Sequence, residues 1–549
     1  MPVDYHLSQK IDLPPPNHPQ RIEIIFQTLL KTRGLGSQEE VESYLNPPQP
    51  SKLTLAETGI NPEEMNKAIA RIKQAISHQE SVVIFGDYDC DGVCATAILW
   101  EALNSMGGKV IPYLPHRQEE GFGLSQKSLK NIKSQHPEIS LIITVDTGIT
   151  NLEEVATARE MGIDVVITDH HQPPKKLPPA LAIVYSPFLS GAGVAWMVAK
   201  SINAISAFQS LDLLTLATIG DLVPLTGPNR SIVYHGLSSI NQTARPGLKA
   251  LIKKACLETQ KINTFTISHV IAPRINATGR LDHALDSLRL LCTTNSSRAE
   301  ILAKRLQTTN KIRQDLTESA VKEAKKIISS DSSGKLIFIT QEQLHEGIIG
   351  LIASRLVDEF FLPAVVISQG KKLSKASARS IPGFDLTEAI QNLRPFLVDG
   401  GGHPLAAGFT VETKKIARVK KTLMTLAEEK LDLRSLKPST SVDFELHPND
   451  LDWPLWEKLK LMQPFGVGNP NPTFLLKSVA IKQIQWVGRD HQHLKFLLAA
   501  QSLGAIGFYF RDKVPDAESL NPANLIFTLT TDTWNNQSSL LLKLKAIWT

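Results

Sequence analysis

A chain of 549 residues is too long for one hydrophobic core and points to three or four units of ~100–200 residues each. Its 42% hydrophobic and 21% charged content is that of a soluble globular protein, and a net charge of +5 is compatible with a polyanionic partner without requiring one. Four scattered cysteines without a CxxC pair exclude a disulfide framework or zinc ribbon and fit a reducing cytoplasm. The N-terminus carries no apolar leader and no run approaches the ~20 residues of a membrane span, so no membrane association is expected.

Taken in chain order, residues 1–50 are rich in proline and polar residues ("LPPPNHPQ", "NPPQPSK") and read as an N-terminal arm that wraps a domain. From about residue 60, helix and strand alternate. "NPEEMNKAIARIKQAISHQ" has helical spacing and an asparagine cap, "SVVIFGD" is a buried strand, and "VCATAILWEALNSMG" is a helix closed by Gly107. "KVIPYLP", "SLIITVD" and "DVVITDHH" are further strands, with "NLEEVATAREMG" a helix between the last two. Continuous apolar strands separated by helices mean a parallel sheet covered on both faces, here assigned to residues 51–295. An apolar helix, "LDLLTLATIGDLVPL", runs into Asp221. A long helix with a "SRAE" capping box, inside a connecting segment 296–333, acts as a spacer. A smaller α/β domain, 334–436, holds strands "KLIFIT" and "PAVVIS", the helix between them and a Gly-rich turn "DGGGHPLAAGF". Residues 437–549 carry about five alternating β runs and suggest a small barrel of the OB type.

The acids define the chemistry. Asp87, Asp89 and Asp91 sit within five residues at the carboxyl end of a strand, where ligands of open α/β sheets bind. The same rim is expected to hold Asp146, Asp169, His170 and His171, with Asp221 arriving on a helix. Close carboxylates repel one another and would take up protons unless a cation neutralised them. Imidazole combined with carboxylate suits Mn, Zn or Fe. Two ions bridged by Asp146 would form the common device for phosphodiester cleavage. One acid pair alone is more often a turn or a cap; the combination of strand-end acids, an Asp-His-His and a later Asp points to a metal site.

"GDYDCDG", "VDTGIT", "TDHHQP" and "IGDLVPL" resemble the four ordered motifs of the DHH phosphoesterase superfamily. "PHRQEEGFGLS", "APRINATGRLDHA", "SARSIPGFDL", "GGHPLAAGF" and "QPFGVGNPNPTF" resemble its RecJ exonuclease branch, over residues 50–549. The implied architecture is α/β: a parallel-sheet DHH domain, a long connecting helix, a smaller α/β DHH-associated domain and a C-terminal OB-type β-barrel. The implied activity is 5′→3′ exonucleolytic degradation of single-stranded DNA to 5′-mononucleotides, in DNA repair and recombination, with two divalent ions (Mn2+ or Mg2+).

By that resemblance Asp89, Asp91, Asp146, His170 and Asp221 match the metal ligands, with Asp146 bridging. Asp87 and His171 stand beside them, Asp87 and Asp169 in an orienting role; Asp169 reads equally well as a strand-end cap. Asp146, His171, His403 and Arg280 would act in catalysis. Arg117, Ser377 and Arg379 would read the 5′ phosphate, or else form surface ion pairs. Gly401 and Gly402 would let the backbone approach a phosphate, next to His403. Arg274 reads as structural. Of Trp486, Phe496, Phe508, Tyr509 and Phe510, one or two are expected at the surface for base stacking, near Lys482, Arg489 and Lys495. Leu344 and Phe122 depart from the family pattern, where aromatic and tyrosine residues are usual. The implied chain is a monomer that acts on single-stranded DNA with a 5′ phosphate, alongside a single-strand-binding protein and a helicase. The rival activities are an oligoribonuclease or cyclic-dinucleotide phosphodiesterase, a small-phosphate hydrolase such as a pyrophosphatase, and a non-catalytic DNA-binding scaffold.

Overall fold

The computed structural model describes residues 5–8, 13–16, 18–121, 123–259, 261–330, 334–432, 439–511, 513–514, 519–534 and 537–549. Phe122 lies outside the described residues. The chain divides into two compact units, one of residues 49–223 and 231–436, the other of residues 1–48, 224–230 and 437–549.

In the larger unit the apolar runs become β1 (Ser81–Gly86), β2 (Lys109–Tyr113), β3 (Ile139–Val145), β4 (Asp164–Asp169) and β5 (Ala182–Tyr185), in the order β2-β1-β3-β4-β5. Every pair in this sheet is parallel. Val82, Val83, Ile84 and Phe85 are all buried, as a strand covered on both faces requires. The strand order reverses direction at β1, so the crevice at its carboxyl end, between β1 and β3, is a topological switch point. The register fixes what stands there. Gly86 pairs with Val145 and Val145 with Thr168, which brings Asp87, Asp146 and Asp169 out at one level.

The connecting segment forms helix Ser296–Ser330, 35 residues long and therefore roughly 50 Å. Its cap is Asn295, whose Oδ1 accepts from Arg298 N at 2.9 Å, and not the expected "SRAE" box. Glu300 instead pairs with Lys253 and Lys254.

The second α/β domain holds β6 (Ile337–Glu342), β7 (Ala364–Gln369), β8 (Leu373–Arg379), β9 (Leu397–His403) and β10 (Ala406–Glu412) in the order β9-β10-β8-β7-β6. Here the expectation of a Gly-rich turn fails. Gly400, Gly401 and Gly402 lie inside β9 and pair with Phe409, Gly408 and Ala407, and the hairpin turns at Pro404 and Leu405. A Cβ on Gly402 would collide with the backbone of Ala406 and Ala407, so the glycine serves close pairing of two strands.

In the smaller unit a mixed sheet of seven strands runs in the order Phe444–Glu445, Phe474–Val479, Ala523–Trp534, Gln537–Trp548, Gly504–Gly507, His493–Leu498, Ile481–Val487. The run read as one strand, "TFLLKSVAIKQIQWVG", breaks in two at Ala480, just after an irregularity in which Ser478 takes a positive φ of 48°. The N-terminal arm carries two helices, Arg21–Thr32 and Gln38–Leu45. Ile25, Phe26, Leu29 and Leu30, one face of the first helix, complete the core of this sheet. Arg21 fixes it through a buried ion pair with Asp450 at 2.6 Å. Tyr5–Leu7 pairs in parallel with Thr440–Val442. Among the described residues no helix is long and apolar enough to cross a membrane.

Candidate active site

The three strand-end acids after β1 have three different tasks, set by local structure. Asp87 follows Gly86 directly and is buried, with Oδ1 lacking a hydrogen-bond partner. Asp89 caps helix Cys90–Asn104, its Oδ1 accepting from Asp91 N and Gly92 N at 3.0 Å each. Asp91, 1% exposed, is gripped by a second helix, Gly191–Ile202. Gly191 N donates to Asp91 Oδ2 at 2.6 Å and Ala192 N to Oδ1 at 2.9 Å, an anion on the free N–H groups of a helix N-terminus. Gly191 is obligatory: a Cβ there would overlap the Asp146 carboxylate.

Asp146 ends β3 with a left-handed φ of 60°, and its N–H donates to Thr168 O at 3.0 Å. The conformation turns the carboxylate out of the sheet direction and into the cluster. His170 Nε2 lies 3.2 Å from Asp146 Oδ1, 3.7 Å from Asp221 Oδ2 and 3.9 Å from Asp91 Oδ2. Even so, Asp146 Oδ1 makes no well-directed hydrogen bond and is fully buried. Asp221 arrives as the C-cap of the apolar helix Leu211–Gly220.

Three sets of ligand-type atoms each fall within 4.8 Å: Asp146, His170 and His171; Asp91, His170 and Asp221; Asp87, Asp89 and Asp146. Burial and mutual repulsion raise the carboxyl pKa values of Asp87, Asp91, Asp146 and Asp221. Asp87 is pushed up to about 8 by burial and Asp89, and Asp221 to about 9 by burial, Asp91 and Asp89. Asp146 is pushed well above the carboxylate range by burial and by Asp91, Asp89, Asp87 and Asp221. Five acids with two orphaned buried oxygens are the donor set a pair of cations would satisfy.

Family models match in three stretches: the DHH family, N-terminal domain, over residues 81–220, the DHHA1 domain over 333–429 and the RecJ OB domain over 442–546. The single-stranded-DNA-specific exonuclease RecJ of Bacillus subtilis is 34% identical over 95% of this chain and 67% of its own length. The same-named protein of Haemophilus influenzae is 30% identical, over 96% of this chain and 95% of its own. The chain belongs to the RecJ family. The match to the Thermus thermophilus exonuclease spans 64% of that protein, less than two thirds of its length. A crystal structure of RecJ from Thermus thermophilus in complex with Mn2+ superposes with a TM-score of 0.82 at 27% identity, covering 98% of this chain and 79% of the other.

Around the cluster of this RecJ-family chain, the other motif residues take defined places. Asp169 is completely buried and accepts from Ile149 N at 3.0 Å, His170 N at 2.7 Å and His171 Nδ1 at 2.8 Å. Burial works against its charge, but the His171 hydrogen bond and the backbone donors outweigh it and lower its pKa. Its carboxylate thus meets the His171 imidazole and the backbone N–H of His170. Burial likewise opposes the charge of His171, yet the Asp169 hydrogen bond and charge raise that imidazole to about 9.

Arg280 lies within electrostatic reach of Tyr88 and Asp89 in the loop after β1. Its Nη1 donates to Gly347 O at 3.3 Å, and burial together with Arg117 and Arg313 lowers its pKa to about 10. The Arg117 guanidinium stands 5.1 Å from the Tyr88 ring centroid. In the second α/β domain, Arg379 Nη1 donates to Ser377 Oγ at 3.2 Å and Ala378 O at 2.8 Å. Gly350, at the start of helix Ile349–Phe360, packs on this pair; a Cβ there would lie 3.1 Å from Ser377 Oγ and 3.3 Å from Arg379 Nη2. Ser380, the other flanking hydroxyl, turns inward to Phe384 O at 2.6 Å. Gly401, Gly402 and His403 are exposed on the β9 hairpin, and His403 makes no hydrogen bond or ion pair with the acid cluster among the described residues.

Two fixtures of the site are not apparent from the sequence. Asn276 Oδ1 accepts from Cys90 N at 2.6 Å and holds the acid loop to helix Ala272–Leu281. Gln118 Nε2 and His345 Nε2 meet at 3.2 Å, joining the Arg117 loop to the second α/β domain. The segment "SGAG" at 190–193 is the available signal for the Asp91 grip: a serine cap before small residues. Asn276 carries no signal beyond its motif.

In the smaller unit, Phe496 and Phe510 are core, whereas Phe508 and Tyr509 are 43% and 68% exposed. His493 packs edge-on against both rings, and Lys543 Nζ stands 5.6 Å from the Phe508 centroid.

Proposed function

We propose that this chain is a divalent-metal-dependent exonuclease that releases 5′-mononucleotides from the 5′ end of single-stranded DNA. The observation that carries the reading is the convergence of Asp91, Asp146, His170 and Asp221, from four separate elements, within ligand distance at the switch point of a parallel sheet.

Asp89, Asp91, Asp146, His170 and Asp221 would hold two Mn2+ or Mg2+ ions. Asp146 belongs to two of the three ligand sets, which suits it to be the shared acid. Such ions, when bound, polarise a phosphoryl group and acidify water. The protein's own residues do the rest. Asp87 adds a further carboxylate within reach of the cluster. His171, held by Asp169 through its Nδ1, is placed to donate to a phosphoryl oxygen as charge grows on it. Arg280 offers a second cation there, and His403 a donor from the hairpin. The Ser377–Arg379 pair, with Arg117, suits a terminal phosphate, which carries more charge than an internal one. Phe508 and Tyr509 offer stacking faces that accept any base.

The test is the pattern of degradation of end-labelled oligonucleotides with Mn2+. Single strands with a 5′ phosphate should shorten from that end, and blunt duplexes should resist. Digestion from the 3′ end, or no digestion at all, defeats the reading.

A further inference from the structure

The buried face of helix Ser296–Ser330 changes character in its middle. Ala299, Leu302, Ala303 and Leu306 are apolar and buried at one end, and Ala320, Val321 and Ala324 at the other. Between them, Asn310 and Thr317 are buried and polar, with Arg313 on the same face. Helix ends are anchored on either side: Arg305 pairs with Asp282 at 2.6 Å, and Lys325 with Glu359 at 2.6 Å. The polar stretch therefore sits where the helix passes from one α/β domain to the next.

That stretch lacks counter-charge. Arg313 Nε is buried without a partner, and Arg355 stands exposed on helix Ile349–Phe360 nearby. Asn310 is 1% exposed and its Oδ1 has no partner. Arg274 reaches the same helix through Gln307 Oε1 at 2.7 Å and commits its second nitrogen to Val270 O at 2.5 Å. Burial, Arg355 and Arg274 together lower the Arg313 pKa, and Arg313 in turn bears on Arg280. A buried orphan guanidinium nitrogen beside like charges is costly unless an anion joins it. The planar fork of arginine selects for phosphate among anions. A neighbouring carboxamide can turn to present its NH2.

We propose that Arg313, with Arg274, Arg355 and Asn310, forms a phosphate-binding site separate from the acid cluster, occupied by a nucleotide phosphate during turnover. The inference rests on the exonuclease reading for the source of that phosphate. Two sources share the chemistry: the released 5′-mononucleotide and the backbone of the bound strand.

The experiment uses the full chain and three variants, Arg313→Gln, Arg313→Lys and Arg355→Gln, each checked for fold by circular dichroism. Binding of dAMP and inorganic phosphate is titrated calorimetrically without metal, and binding of a single-stranded oligonucleotide is measured in an Asp146→Asn background. Loss of one charge-assisted contact should weaken the relevant ligand about 10-fold in Arg313→Gln. Arg313→Lys should recover part of that loss. Weakening confined to dAMP and phosphate assigns the site to product; weakening of the oligonucleotide, with a salt slope lower by about one, assigns it to the strand. If Arg313→Gln and Arg355→Gln both bind all three ligands within 2-fold of the parent, the site does not exist. Because the dAMP titration needs no cleavage, this failure is distinct from failure of the nuclease reading.

Discussion

Gly191 donates its backbone N–H to the Asp91 carboxylate at 2.6 Å, and the absence of its side chain leaves room for Asp146 beside it. One glycine thus sets the spacing of two acids that are 55 positions apart in sequence. Gly191→Ala should push the two carboxylates apart and raise the Mn2+ concentration needed for half-maximal cleavage by about 10- to 100-fold, the usual cost of disturbing a ligand's supports. A metal titration of activity checks it; an unchanged requirement would separate Gly191 from the site.

The carboxyl pKa values give a pH dependence with a definite sign. Asp87 and Asp221 rise to about 8 and 9 in the folded chain, above the ordinary range near 4. The folded state then binds more protons than the unfolded state between those values, so stability falls as pH rises through that window. Divalent ions displace the protons and relieve the repulsion. The metal-free protein should lose Tm between pH 6 and 9, and the gain in Tm on adding Mn2+ should grow over the same range. Differential scanning calorimetry at several pH values measures both.

At the Ser377–Arg379 pair, Arg379→Ala should raise KM for 5′-phosphorylated strands by ~10-fold or more while leaving strands with a 5′ hydroxyl nearly unaffected. Steady-state kinetics on the two substrates decides it. An equal loss on both would make Arg379 a structural residue.

Tyr509→Ala removes an exposed ring from the smaller unit without opening its core. Base stacking is worth roughly 1–3 kcal/mol per ring, so single-strand affinity should fall about 5- to 150-fold. Fluorescence anisotropy with a labelled oligonucleotide measures it, and Phe496→Ala, a core change, serves as the contrast.

Much of this was legible in the sequence because it depends on local pattern. Apolar strands ending in acids announce both the parallel sheet and its functional rim, since strand ends and ligand sites coincide in such sheets. What escaped depends on partners far away in the chain. Nothing local marks Asn276 as the acceptor for Cys90 N, or Gly191 as the residue that fits beside Asp146. Gly400–Gly402 looked like a turn because three glycines are poor strand formers; pairing with β10 overrode that preference. The N-terminal arm looked irregular from its prolines, yet the spacing of Ile25, Phe26, Leu29 and Leu30 is helical and supplies core to a sheet more than 400 residues later.

Asp146 is proposed as the acid shared by two cations. Asparagine accepts the left-handed φ of 60° and matches the side chain in shape, so Asp146→Asn leaves the fold in place and removes only the charge. Mn2+-dependent digestion of a 3′-labelled single strand is the measurement. The variant should show native circular dichroism and at least ~1,000-fold slower cleavage than the parent chain, the scale of a lost electrostatic stabiliser. Cleavage at the parental rate would contradict the account.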